Sequence, residues 1–196
     1  MIVMYSTSGE KLLTVATRLF YSEGIGAIGV DRVVAESGVS KPTLYAQFGT
    51  KAGLVAAVLQ RRSDTRKREI TEYLNNVPAD TDSRVLALFD RFIAGHAKPG
   101  FRGCPFTNAA AELPDPEHPA RVVIADYKTW IRQKLIELAA QDGLESPTEC
   151  GSFFSLLIDG ANVRVITTGE ITGIVDAKQA ASELINLRRI TPGDKS

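Results

Sequence analysis

The feature that most constrains the fold is an abrupt turn between two short helical segments, at Gly38, Val39 and Ser40. Gly38 permits the left-handed backbone that a sharp turn requires, and the apolar Val39 can pack beneath the turn. Ser40 can cap the second segment, whose first turn tolerates Pro42. This spacing predicts a helix-turn-helix. A helical corner within an all-α core is the alternative that the spacing alone leaves open.

The second of these segments has two different sides. At about 100° per residue, Leu44 and Phe48 share one side, which we expect to be buried. The other positions point outward or lie on the flanks: Lys41, Pro42, Thr43, Tyr45, Ala46 and Gln47. An outward side of small and hydroxyl-bearing residues can lie against base edges in the major groove of DNA. Tyr45 and the following Lys51 can reach backbone phosphates.

The apolar periodicity predicts helices along the rest of the chain as well. Three helix starts are indicated by Thr7-x-x-Glu10, Ser146-Pro147-x-Glu149 and Asp176-x-x-Gln179, and Gly24 and Gly143 indicate helix ends. No alternating strand pattern competes, so the predicted fold class is all-α. Outside the helix-turn-helix, the expected helices are at about residues 7–23, 51–74, 82–96, 105–113, 120–141, 147–168 and 176–189.

Charge is distributed unevenly along the chain. The 196 residues include 23 basic and 23 acidic side chains. Residues 1–70 contain ten Lys or Arg against six Asp or Glu, whereas residues 71–196 contain thirteen against seventeen. A basic first part joined to an acidic remainder indicates two tasks on one chain, although the basic run 61–68 can also be read as a solvated helix face. We predict a helix-turn-helix DNA-binding domain over residues 1–60 and a ligand-binding and dimerisation domain over residues 61–196.

The sequence lacks the patterns of several other functions. His96 and His118 are the only histidines and no metal-ligand spacing accompanies them, so no metal site is expected. The GxGxxG string over Gly24–Gly29 follows a helix rather than a strand, so no dinucleotide cofactor is expected. No nucleophile elbow, P-loop or ordered catalytic set occurs, and we predict no enzyme activity. Two cysteines, no apolar run of 18 residues and no signal-like N-terminus favour a cytoplasmic protein.

Residues 10–59 closely resemble the DNA-binding domain of the TetR-type transcriptional regulators. The matched positions are Ala16, Leu19-Phe20, Gly24, Gly38-Val39-Ser40, Thr43-Leu44-Tyr45, Phe48, Lys51 and Leu54. The resemblance implies an all-helical homodimer with an N-terminal three-helix head and a larger C-terminal helical regulatory domain that binds a small molecule. One departure is Gly29, where family members usually have a capping Ser or Thr. The predicted DNA-binding residues are Val30, Arg32, Ser40, Lys41, Pro42, Thr43, Tyr45, Gln47 and Lys51.

The second domain is expected to hold a regulatory ligand and the dimer interface. Its aromatic residues suit a neutral or cationic, mostly apolar molecule, since a phosphorylated one would need clustered Arg or Lys. The family arrangement pairs the helices 147–168 and 176–189 with their symmetry mates. The candidate ligand-binding residues, each of which can also be read as core, are Phe92, His96, Phe106, Trp130 and Phe154, with Asn108 or Asn162 as a polar anchor.

These patterns favour a ligand-responsive transcriptional repressor. Its dimer is expected to bind a pseudo-palindromic double-stranded DNA operator and to be released by a small-molecule effector. Two alternatives stay open: a small helical enzyme that uses the C-terminal pocket, and an architectural protein that binds DNA without sequence preference. Only the regulator is expected to form a discrete, salt-sensitive complex on one short palindrome.

Overall fold

A computed structural model describes residues 5–189. Those residues form nine α-helices and no β-strand, which confirms the predicted all-α fold class. No helix among them is long and apolar enough to span a membrane. The helices are α1 (Thr7–Glu23), α2 (Val30–Ser37), α3 (Lys41–Phe48), α4 (Lys51–Asn75), α5 (Arg84–His96), α6 (Pro105–Glu112), α7 (Ala120–Gln141), α8 (Pro147–Thr168) and α9 (Gly173–Arg188).

Most helix ends lie where the local signals predicted them. The bounds of α7 and α8 are the predicted ones, and Gly24 ends α1 with φ 96°, in a backbone region that favours glycine. The start of α1 agrees with the predicted one, but its cap is Ser6 rather than Thr7. The Ser6 Oγ accepts a hydrogen bond from the Gly9 N–H at 3.1 Å, which satisfies one of the N–H groups at the helix start.

The predicted start of the last helix at Asp176 is wrong. The helix α9 begins at Gly173, and Asp176 lies in its first turn, where the helix dipole favours a carboxylate. The helix α8 begins at Pro147 as predicted, but the predicted capping role of Ser146 is not observed. Ser146 has φ 49° and its side chain makes no capping hydrogen bond. Proline at the first helical position marks this start without a side-chain cap.

The chain divides into two compact units. Among the described residues, the first unit comprises 5–65 together with Pro105–Asp126, and the second comprises Arg66–Cys104 and 127–189. The helices α4 and α7 each begin in the first unit and end in the second. The first unit therefore includes α6, which is distant from α1 in sequence. The functional division predicted at residue 60 stays a prediction, because compactness by itself assigns no function.

The first unit is built on the apolar side of α1. Its fully buried residues recur at helical spacing: Leu12, Leu13, Ala16 and Leu19. The helix α1 contacts both α2 and α3, which also contact each other. From α4, Arg61 donates to the Thr17 hydroxyl at 2.6 Å and Arg62 donates to the Thr17 carbonyl at 3.1 Å. Part of the basic run 61–68 therefore joins α4 to α1.

In the second unit, α9 packs against α8 and α5. Asp142, just after α7, holds the start of α5. Its carboxylate accepts the Ser83 hydroxyl at 2.6 Å and the N–H groups of Arg84 and Val85 at 2.8 and 3.0 Å. The region of α8 and α9 also exposes several apolar side chains, which are Phe153, Leu156, Val163, Ile166, Ile171, Val175 and Leu187.

Candidate nucleic-acid interface

The start and end of α3, the helix predicted to recognise DNA, are held by local contacts. The Ser40 Oγ accepts the Thr43 N–H at 3.3 Å and lies 2.8 Å from the Thr43 hydroxyl. Pro42 occupies the first turn, where a missing N–H removes no helical hydrogen bond. Gly49 ends the helix with φ 70°, and its N–H donates to the Tyr45 carbonyl at 2.8 Å. These contacts define a helix of only eight residues.

The side chains of α3 divide between a packing side and an outward side, although Phe48 is less buried than predicted. Leu44 is fully buried, and Phe48 is half-buried against Tyr5, with 5.2 Å between the ring centroids. The outward positions are exposed at Lys41, Pro42, Tyr45 and Ala46 and half-buried at Thr43 and Gln47. The exposed members of the outward side can therefore approach a groove of DNA while Leu44 stays packed.

The turn before α3 has the predicted conformation. Gly38 has φ 67° and ψ 18°, and its N–H donates to the Val34 carbonyl at 3.1 Å. Val39 is buried beneath the turn. At the other end of α2, the N-cap is Gly29, which offers no side chain to the helix start. The start of α2 is therefore held by the turn that precedes it and by contacts of its other side chains with α1.

Two cations of the predicted interface form ion pairs within the protein. Arg32 donates to Glu23 at 2.9 and 3.0 Å and to Glu36 at 2.8 Å, and the Lys41 ammonium lies 2.7 Å from Asp31. The hydrogen bond from Arg32 lowers the pKa of Glu36, and the hydrogen bond to Asp31 raises the pKa of Lys41. These exposed pairs contribute little to stability. A phosphate that binds Arg32 or Lys41 would therefore have to replace a carboxylate.

Lys51 also has a partner within the protein. It opens α4, and its ammonium donates to the Ile25 carbonyl at 2.7 Å. The adjacent N–H, that of Gly26, donates to the Glu112 carboxylate at 2.8 Å. The phosphate contact of Lys51 stays a prediction. Val30 is half-buried at the first position of α2.

All nine predicted DNA-binding residues belong to the first unit, in or next to α2, α3 and the start of α4. Sequence reasoning missed the acidic side chains that accompany them. The four-residue spacing of Arg32 and Glu36 is a local signal that could have revealed one ion pair. No local signal connects Glu112 with Gly26, because 86 residues separate them.

The residues predicted to bind a ligand do not all belong to one unit. Five belong to the second unit and two to the first: Phe92, His96, Trp130, Phe154 and Asn162, against Phe106 and Asn108. Phe154 is fully buried and makes an edge-to-face contact with Phe89, with 6.4 Å between centroids. This contact is typical of a core aromatic residue. The ligand-binding role of all seven residues stays a prediction.

His96 is a polar group buried in the second unit. It is 3% exposed, and its ring lies 4.2 Å from that of Phe101 between centroids. Neither ring nitrogen makes a hydrogen bond of good geometry to a described residue. Burial lowers the pKa of His96, so the ring is neutral at pH 7 and can donate one hydrogen bond and accept another. Nearby, the buried Asn162 amide donates to the Ile158 carbonyl at 2.8 Å.

Known proteins share both the sequence of this head and the fold of the chain. Residues 12–58 match the family model described as bacterial regulatory proteins, tetR family. The chain is 32% identical to SCO4454, a TetR-family transcriptional regulator from Streptomyces coelicolor. The two structures align over 93% of this chain and 96% of that one, with a TM-score of 0.86.

Two curated relatives also match. The HTH-type transcriptional regulator LmrA of Bacillus subtilis is 23% identical over 92% of this chain and 98% of its own length. The HTH-type transcriptional activator FasR of Mycolicibacterium smegmatis is 34% identical over 94 residues, and that match spans 47% of this chain and 42% of FasR. Each of these relatives is named as a regulator of transcription. The chain belongs to the TetR family of DNA-binding transcriptional regulators.

Proposed function

We propose that this protein is a ligand-responsive repressor that binds a pseudo-palindromic operator as a homodimer. The observation that carries the proposal is the division of α3 into a buried packing side and an outward side of small, hydroxyl and amide groups. A helix of this kind fits the major groove, where base edges accept such contacts. Repression is proposed because a protein bound at a promoter blocks transcription by occupying the DNA. It needs no additional surface that contacts the transcription machinery. The site of action is the cytoplasm, where bacterial DNA lies.

The proposed DNA contacts fall into two groups. Base edges are assigned to Pro42, Thr43 and Gln47 on α3. Backbone phosphates are assigned to the groups around them, which are Val30, Arg32, Ser40, Lys41, Tyr45 and Lys51. Arg32 and Lys41 can exchange a carboxylate for a phosphate because all three of their ion pairs are exposed to solvent. Phosphate contacts set the register of the protein on DNA, and base contacts select the sequence.

The dimer interface is proposed on α8 and α9. Four α8 side chains form an exposed apolar stripe at spacings of three and seven residues: Phe153, Leu156, Val163 and Ile166. Val175 and Leu187 add exposed apolar area on α9. A symmetric partner is the simplest cover for apolar patches of this kind, because each copy supplies the same surface. A dimer presents two heads, as two half-sites of an operator require.

The effector site is proposed in the second unit, around His96. The Ile171 backbone and the Asn162 side chain lie close to this buried imidazole, and a ligand can complete its hydrogen bonding. The proposed lining is Phe92, His96, Trp130, Phe154 and Asn162. This set supports a mostly apolar, uncharged molecule with one hydrogen-bonding group. If the effector weakens operator binding, the operator weakens effector binding by the same factor.

The test is selection of duplex DNA from a random-sequence library by the purified protein, followed by mobility-shift titration over a salt series. We expect enrichment of a pseudo-palindrome and a discrete complex whose affinity falls steeply with salt. A variant with both Thr43→Val and Gln47→Ala should lose preference for the selected duplex. Lys134→Ala, in the second unit, should keep that preference. Enrichment of no sequence would contradict the proposal.

A further inference from the structure

The Ile25–Gly26 peptide group, in the turn between α1 and α2, is held at both ends by charged side chains. Its carbonyl oxygen accepts the Lys51 ammonium at 2.7 Å, and its N–H donates to the Glu112 carboxylate at 2.8 Å. The peptide is trans, so the carbonyl and the N–H point in opposite directions. The ammonium and the carboxylate therefore hold the turn from opposite sides, each facing the end of the peptide dipole that attracts it.

The turn is held by packing of two side chains as well as by this peptide. Ile25 and Ile28 are buried, whereas Gly26 and Ala27 are exposed. The helix α2 then begins directly after Gly29, which provides no capping side chain. Arg32, in the first turn of α2, donates to Glu23 at the end of α1, so this ion pair and the turn together set the start of α2.

The position of Glu112 is unfavourable for α6 itself. Glu112 is the last residue of that helix, where the helix dipole disfavours a negative charge. The turn, by contrast, leaves space for the carboxylate. A Cβ at Gly24 would lie 3.1 Å from a Glu112 carboxylate oxygen, and the φ of 96° at Gly24 also favours glycine. The hydrogen bond to Gly26 offsets the unfavourable position of this charge.

We infer that Glu112 is a positioning residue of the DNA-binding head. Through the Gly26 N–H it fixes the turn that, together with the Arg32–Glu23 ion pair, sets the start of α2, and with α2 it fixes the orientation of the helix-turn-helix. The inference rests on the proposed function and extends it, because it gives α6, outside residues 10–59, a part in operator affinity. The direction of the change in operator affinity distinguishes a positioning role from an effect of charge. Removal of a carboxylate should by charge alone strengthen attraction to phosphates, whereas loss of positioning weakens operator binding.

The test compares Glu112→Gln and Glu112→Ala with the wild-type protein, on the duplex that the wild type selects and on a scrambled duplex. Glu112→Ala should weaken binding to the selected duplex about tenfold, and Glu112→Gln, whose amide oxygen can still accept the Gly26 N–H, about threefold. Binding to the scrambled duplex should stay unchanged or tighten. The matched control is Glu117→Ala, which removes an exposed carboxylate of the same segment and should weaken neither complex.

Amide hydrogen exchange separates positioning from general unfolding. In Glu112→Ala the Gly26 amide should exchange at least tenfold faster, while the amide of the buried Leu13 and the unfolding midpoint stay close to wild type. Equal affinity of Glu112→Ala and wild type for the selected duplex, or an equal loss on both duplexes, overturns the inference and leaves the proposed function standing. If the wild type selects no duplex, the proposed function fails and the inference fails with it.

Discussion

At the scale of single residues, the proposed DNA-binding face includes carboxylates that would compete with phosphate for its cations. Lys41 lies 2.7 Å from Asp31, whose side chain is 78% exposed. Asp31→Asn should raise operator affinity about threefold to tenfold at about 50 mM salt, and less at about 200 mM, because it releases Lys41 and removes a negative charge. Mobility-shift titration measures the change, with the exposed Asp80→Asn as the control. An unchanged affinity would show that this carboxylate does not compete with phosphate.

Lys51 has two candidate roles that the salt dependence of binding separates. If its ammonium leaves the Ile25 carbonyl for a phosphate, Lys51→Ala lowers the slope of log affinity against log salt by about one unit, and this is the result we expect. Lys134→Ala, which removes a lysine paired with Glu137 in the second unit, should leave the slope unchanged. A weaker complex with an unchanged slope would mean that Lys51 acts only by holding the turn.

His96 should make stability depend on pH. Burial lowers its pKa in the folded state below the ordinary 6.5, so the unfolded chain binds the proton more readily. The free energy of unfolding should therefore fall as pH drops from about 6.5 toward the folded pKa, and this contribution should level off below it. Urea unfolding at about pH 7.5 and about pH 5 measures the loss. His96→Gln should reduce it, and an identical loss in the variant would contradict the assignment.

At the scale of helices, Asp142 is the side chain that connects the end of α7 with the start of α5. Its carboxylate accepts three hydrogen bonds at 2.6 to 3.0 Å, two of them from backbone N–H groups. Asp142→Ala should lower the free energy of unfolding by about 2 kcal/mol, because those donors lose their partner at a half-buried position. Asp80→Ala, at an exposed position, should change it by less than about 0.5 kcal/mol. Equal effects in denaturant titrations would contradict this role.

At the scale of the whole molecule, the proposed dimer depends on the apolar stripe of α8. Leu156 is 67% exposed, and Leu156→Glu should raise the dimer dissociation constant at least a hundredfold by placing a charge in the interface. Sedimentation equilibrium measures it. The matched control is Val122→Glu on α7, since Val122 is 65% exposed and lies outside the stripe. A stable Leu156→Glu dimer, or equal effects of both substitutions, would place the interface elsewhere.

Local chemistry allowed much of this fold to be predicted from the sequence. The cap at Ser40, the left-handed Gly38 and the end of α1 at Gly24 each depend on a few neighbouring residues. The division of α3 follows in the same way from helical periodicity, which places Leu44 inward and Tyr45 outward. Caps, glycine turns and helical periodicity each depend only on residues that are neighbours in the sequence. The all-α class, most helix bounds and the outward side of α3 could therefore be predicted.

Tertiary packing decided the contacts that join distant segments. The bond from Gly26 to Glu112 spans 86 residues, and the bond from Ser83 to Asp142 spans 59. Neither pair has a local sequence signal. The sequence around a carboxylate does not indicate whether that group faces solvent or a backbone N–H of a distant segment. Lys51 shows the difference most clearly. The sequence by itself determined that a cation opens α4. The hydrogen bond of this cation to the Ile25 carbonyl arises only when α4 packs beside that turn, because 26 residues separate the two.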